Sequence, residues 1–167
     1  RVWLQRGAGL AALTFGVMQL AGAASGGRDP LQPLGHLGQA QAAGVSAHPG
    51  VVFQPVRSVQ ELDQLLKTAG RPVMLDFYAD WCVSCKEMER FTFSDAAVQR
   101  RLAGALLLKA DVTANSEADR ALLKRFQLFG PPGTIFFDAQ GQERRDVRVI
   151  GFQPARDFEK TLQSAGL

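Results

Sequence analysis

Residues 73–91, VMLDFYADWCVSCKEMERF, carry the most informative pattern in the chain. Val73 to Tyr78 is an apolar run of buried-strand length carrying one acid, Asp76, and the spacing predicts a helix beginning near Cys82. A Cys-x-x-Cys pair, Cys82 and Cys85, therefore stands where a strand hands over to a helix. At the first turn of a helix, free backbone N–H groups and the positive end of the dipole favour a thiolate, the reactive species in thiol–disulfide exchange. Two intervening residues let the sulfurs close a small ring. Exchange needs one exposed sulfur, assigned to Cys82, and a resolving sulfur one turn inward, assigned to Cys85. Two buried thiols or half of a zinc site are the competing readings. There is no second cysteine pair and no histidine between residues 50 and 167, so no metal is expected there.

Outward from this stretch, strand and helix signals alternate, which argues for an α/β sheet domain over residues 50–167. Val51 to Val56 reads as a strand. Ser58 and Glu61 read as a capping box opening a helix to Gly70. Ser94 is the expected cap of a helix through Leu102, Ala105 to Asp111 a second buried strand, and Ser116 the start of a helix ending near Phe126. After Gly130-Pro131-Pro132-Gly133, the segments Thr134–Phe137 and Arg145–Ile150 flank the turn Asp138 to Gly141 and read as an antiparallel hairpin. Pro154 starts a last helix to Gln163. The phenylalanines 91, 93, 126, 129, 136 and 137 are expected to pack in the core or at its rim.

Three stretches, YADWCVSCKEMERFTFSD (78–95), KADVTAN (109–115) and FGPPGTIFFDAQGQE (129–143), make this region resemble the thioredoxin-like fold, a central mixed sheet flanked by helices, over about residues 51–167. More closely it is similar to the C-terminal domain of the DsbD family of bacterial thiol:disulfide interchange proteins. GGRDPLQPL (26–34) resembles the segment just after the last membrane helix of that family. The resemblance puts Asp76, six residues before Cys82, at the position of a buried carboxylate, and Pro132 at that of a cis-proline opposite the dithiol. Glu89, seven residues after Cys82, is expected on the same helix face as that sulfur. Two carboxylates near one sulfur disfavour the thiolate and can relay protons to and from Cys85; the resemblance implies a raised Cys82 pKa. A surface Glu89 engaged only in a helix salt bridge is the plainer alternative. Pro131, lacking an N–H, implies weaker strand-like capture of extended peptides than in thioredoxins that present one there. Trp81 and Tyr78 flank the dithiol as docking surface or as core aromatics.

Residues 7–27 hold no charge, about the length that crosses a bilayer core. A transmembrane helix over 1–27 is expected; the segment also fits a signal peptide or a buried soluble helix. Arg1 and Arg6 on one side, against the neutral pair Arg28 and Asp29 on the other, place the residues after this segment outside the cytoplasm. Residues 28–49 read as a flexible linker, with His36 and His48 as solvated loop residues. Of 19 basic and 16 acidic side chains in the chain, the net charge is only +3, which excludes the strongly basic face of a nucleic-acid binder.

As the resemblance implies, the expected function is a membrane-tethered protein-disulfide reductase of the bacterial inner membrane with its catalytic domain in the periplasm. Cys82 and Cys85 would be reduced by a dithiol in the membrane-embedded domain of the same parent protein. They would then reduce its periplasmic immunoglobulin-like domain, which serves disulfide isomerases and cytochrome c maturation. No cofactor is expected beyond the redox-active disulfide. A free-standing anchored reductase for apocytochromes, an oxidase and a redox-inactive thioredoxin-fold binding module are the alternatives.

Overall fold

The computed structural model describes residues 14, 16–17, 46–48 and 51–167. Thr14, Gly16 and Val17 are helical and exposed. Among the described residues no helix is long and apolar enough to cross a membrane. The expected membrane segment over 1–27 lies almost wholly outside the described residues, as does most of the linker. Gly44–Leu167 forms one compact unit.

Its strands are β1 (Ser46–His48), β2 (Val51–Pro55), β3 (Val73–Tyr78), β4 (Leu106–Asp111), β5 (Gly133–Phe137) and β6 (Glu143–Ile150). The sheet order is β1-β2-β4-β3-β5-β6. β2, β4 and β3 run parallel, and β5 and β6 pair antiparallel beyond β3, so the sheet is mixed as expected. β1 pairs antiparallel with β2 and brings His48, read as a loop histidine, into a strand opposite Val51. A short pairing segment of this kind carries too little hydrophobic alternation to be seen in sequence.

The helices are α1 (Val59–Thr68), α2 (Val83–Glu87), α3 (Ala96–Leu102), α4 (Glu117–Arg125) and α5 (Ala155–Ala165), with a π-helical segment, Met88–Phe93, continuing α2. Their starts are set by side-chain oxygens that satisfy free N–H groups. Ser116 and Asp119 form a full reciprocal box at α4. At α1 Ser58 accepts the Glu61 N–H, but the Glu61 carboxylate reaches past the cap to the Arg57 N–H at 2.8 Å, so the expected box is only half made. The cap of α3 is Asp95, not Ser94: its carboxylate accepts from Ala97 and Val98, while Ser94 Oγ donates back to the Arg90 carbonyl. Adjacent capping residues compete, and the ionised one makes the stronger bonds at a helix N-terminus.

β3 shows why its sequence is a nearly continuous apolar run. Val73, Leu75 and Phe77 face a cluster with Leu62 and Leu66 of α1 and Leu122 of α4, and Met74 faces the other cluster, with Met88, Phe93, Phe158 and Leu162. A strand covered on both faces has no solvent side to alternate with. Phe53, Phe93, Phe158 and Phe136 stack in a chain at centroid spacings of 5.5, 5.6 and 6.3 Å on one face. Phe77, Phe126 and Phe137 do so on the other. Phe91 and Phe129 depart from the expected packing: both are exposed, because each leaves the periodic elements, Phe91 at the π-helical turn and Phe129 in the loop after α4.

Candidate active site

The end of β3 and the start of α2 place the two cysteines. The Cys82 N–H donates to the Ala79 carbonyl, and the Cys82 carbonyl accepts the Lys86 N–H, so the chain turns directly from strand to helix. Cys82 is the N-cap, and its sulfur accepts the Cys85 N–H at 3.1 Å. Cys82 and Cys85 are joined in a disulfide, and among the described residues no free cysteine accompanies them. Cys82 is only 6% exposed, against the open sulfur expected from sequence, and Cys85 is 2% exposed. The N-cap role turns the Cys82 sulfur back over the helix end and into the apolar cluster beneath it.

The Cys85 sulfur sits 3.9 Å from the carbonyl oxygen of Phe77, the residue after Asp76. Asp76 is buried, and burial raises its carboxyl from an ordinary 3.8 to about 7. The Glu89 charge adds to the rise; Lys109 and a hydrogen bond from Thr134 oppose it. A carboxyl titrating near neutrality can accept or release a proton at the pH where thiols exchange.

Glu89 is tied to β4 as well as to the helix that carries Cys82. It stands in the π-helical segment, whose wider turn rotates it toward β4, and it takes a 2.7 Å ion pair from the buried Lys109 Nζ. This largely buried pair is not the surface helix salt bridge of the plainer alternative. Lys109 is opposite Asp76 in the β3–β4 register, and its ammonium also lies 4.9 Å from the Phe53 ring centre and 4.8 Å from that of Tyr78. Sequence reading passed over Lys109, although a charge inside the apolar run LLLKAD demands a buried partner and was a usable signal.

Tyr78 is half-buried. Its hydroxyl donates to Asp80 at 3.0 Å and has Lys86 Nζ at 3.4 Å; burial and the Asp80 acceptor push its pKa up. Trp81 is 61% exposed, so it is surface rather than core. Its indole N–H donates to the Thr113 carbonyl at 3.3 Å. Thr113 takes the Asp80 N–H at its hydroxyl and is itself held through Asp111, which ties the β4 loop to the residues just before the dithiol. Nothing in the sequence singles out Thr113.

The Pro131–Pro132 bond is cis. The Pro132 carbonyl accepts the Gly151 N–H, which joins the proline loop to the end of β6. Thr134, two residues on, donates its hydroxyl to Asp76 Oδ1 at 3.3 Å. Among the described residues no group of histidine, cysteine and carboxylate side chains is arranged to hold a metal ion.

The thioredoxin-like domain family matches residues 59–166. The thiol:disulfide interchange protein DsbD of Ralstonia nicotianae is 60% identical over 153 residues, 90% of this chain and 25% of that protein. The chain thus spans about a quarter of the length of such curated relatives. Among solved structures, the oxidised C-terminal domain of Neisseria meningitidis DsbD is 36% identical with a TM-score of 0.53, covering 62% of this chain and 88% of that one. A thioredoxin from Thermus thermophilus is 25% identical with a TM-score of 0.56, covering 69% and 88%.

Proposed function

Because this chain belongs to the thioredoxin-like family, among the C-terminal domains of DsbD proteins, we propose that it is a periplasmic, membrane-tethered thiol:disulfide oxidoreductase that relays electrons outward. The observation that carries the reading is the Cys82–Cys85 disulfide at a strand-to-helix junction, with a buried carboxyl titrating near neutrality one residue from the carbonyl that Cys85 faces. The similarity to the Ralstonia protein extends over 90% of this chain, well beyond the 59–166 match, which favours the interchange protein over a free-standing anchored reductase.

In this reading a dithiol of the membrane-embedded domain of the parent protein reduces the Cys82–Cys85 bond and becomes a disulfide itself, delivering two electrons and two protons. Cys82 as thiolate then attacks a disulfide of the periplasmic immunoglobulin-like domain, forming a mixed disulfide and releasing one partner thiolate. Cys85 gives its proton to the Asp76 carboxylate and attacks the Cys82 sulfur. The intramolecular disulfide re-forms, the second partner sulfur leaves as thiolate, and the partner has gained two electrons. Disulfide isomerases and cytochrome c maturation receive them further on. The low exposure of Cys82 supports exchange only with a partner that docks closely. Trp81 and Val83 beside the dithiol and Phe129 on the proline loop offer exposed apolar surface for such docking. Pro131 has no N–H to pair with an extended peptide, which favours a folded partner over an unfolded one.

The test is a Cys85→Ala chain in cells under reducing flux. Cys82 should accumulate in a reductant-sensitive mixed disulfide whose other half is the immunoglobulin-like domain. Recovery of no disulfide-linked species would end the relay reading.

A further inference from the structure

Thr134 is 1% exposed in a strand, GTIFF, whose five residues are all buried and whose other side chains are apolar. Valine would fill the same volume without a hydroxyl to desolvate. A buried hydroxyl persists in such a setting only when it is hydrogen-bonded, and the bond Thr134 makes is to Asp76 Oδ1. The two residues are directly opposed in the β3–β5 register, just as Asp76 and Lys109 are in the β3–β4 register. Lys109, Asp76 and Thr134 thus form one row across three strands, with their side chains on one sheet face. The Lys109 ammonium is drawn to Glu89 and lies over the Phe53 and Tyr78 rings, whereas the Thr134 hydroxyl is aimed at the Asp76 carboxyl.

We propose that Thr134 is the positioning residue for proton exchange at the dithiol, its hydroxyl orienting the Asp76 carboxyl and stabilising its ionised form. The proposal rests on the dithiol-exchange reading above and adds to it the group that governs the proton acceptor. A threonine hydroxyl is a rotor with one donor and two lone pairs. It donates to the Asp76 carboxylate while Cys85 still holds its proton, and can turn to accept once Asp76 has taken that proton, so each protonation state keeps a partner. The other groups facing Asp76 are Lys109 from β4, which favours the carboxylate, and Glu89 from the π-helical segment, which opposes it; Tyr78 shares the face from β3 itself.

The test is to titrate the Asp76 side-chain carboxyl by carbon NMR in the oxidised full chain. The wild-type midpoint is expected near 7. Thr134→Val should move it up by roughly one to two pH units, the size of one lost hydrogen bond to a charged group. Thr134→Ser should return it to the wild-type value. The pH profile for resolving the Cys82 mixed disulfide should move by the same amount in the same variants. Thr134→Ala, which creates no overpacking, should move the midpoint as Val does and serves if the Val chain does not fold. A Val or Ala chain titrating with wild type overturns the proposal, and so does a Ser chain displaced as far as Val, which would mean packing alone is at work. The titration needs no partner, so a failure of electron relay in wild type leaves this result readable.

Discussion

Replacing Asp76 with asparagine should make the folded domain more stable at alkaline pH while leaving it nearly unchanged in acid. The folded state holds the Asp76 proton to about pH 7, whereas the unfolded chain releases it near 3.8. Protons therefore favour folding through this group: its contribution is complete below about pH 4 and is lost as pH rises through 7. At about 1.36 kcal/mol per pH unit, the loss is on the order of 4 kcal/mol in all and about 3 kcal/mol between pH 5 and 8. Asparagine has nearly the same shape and keeps an oxygen for the Thr134 hydroxyl, but has no proton to lose. Nor does the change orphan a buried cation, since Lys109 retains Glu89 at 2.7 Å. Denaturant unfolding of the oxidised wild-type and Asp76→Asn chains at pH 5, 6.5 and 8 should give curves that diverge with pH, the variant gaining about 3 kcal/mol on wild type across that range. Parallel pH dependences, or a variant weaker at pH 8 than wild type, would show that Asp76 is not a strained buried acid and would remove the basis for its part in proton transfer.

Glu89→Gln leaves the Lys109 ammonium buried without its counter-ion, and denaturant unfolding should show a loss of about 3 kcal/mol. The same substitution removes a charge that raises Asp76, so the Asp76 titration midpoint should fall below 7. Gly141 has φ +76° in the β5–β6 turn, and a Cβ there would stand 2.8 Å from the Leu66 carbonyl oxygen, a backbone atom that cannot yield. Gly141→Ala should cost about 2–3 kcal/mol in thermal or denaturant unfolding. Gly70→Ala, at φ +58° with open space around it, should cost only about 1 kcal/mol; equal losses would mean that the Leu66 contact is irrelevant.

The readable features were those set by local chemistry. A buried strand followed by a Cys-x-x-Cys pair, the cap at Ser116 and the hairpin turn before Gly141 each depend on residues within a few positions of one another, and each stands where it was expected. What failed locally failed through competition between neighbours, as when the Asp95 carboxylate displaced Ser94 from the cap of α3.

The partners of the site residues were not readable, because they come from elements far apart in sequence. Glu89, seven positions after Cys82 and in the π-helical turn, takes its ion pair from Lys109, twenty residues away in sequence and on another element. A helix-start dithiol on an α/β sheet was legible from local residues, because helix starts, buried runs and turn residues impose their geometry locally, and resemblance identified that sheet as thioredoxin-like. That Asp76 sits between Lys109 and Thr134 emerges from the folded sheet alone. Strand register, not chain order, chooses a side chain's neighbours, and burial is what moves its proton to neutral pH.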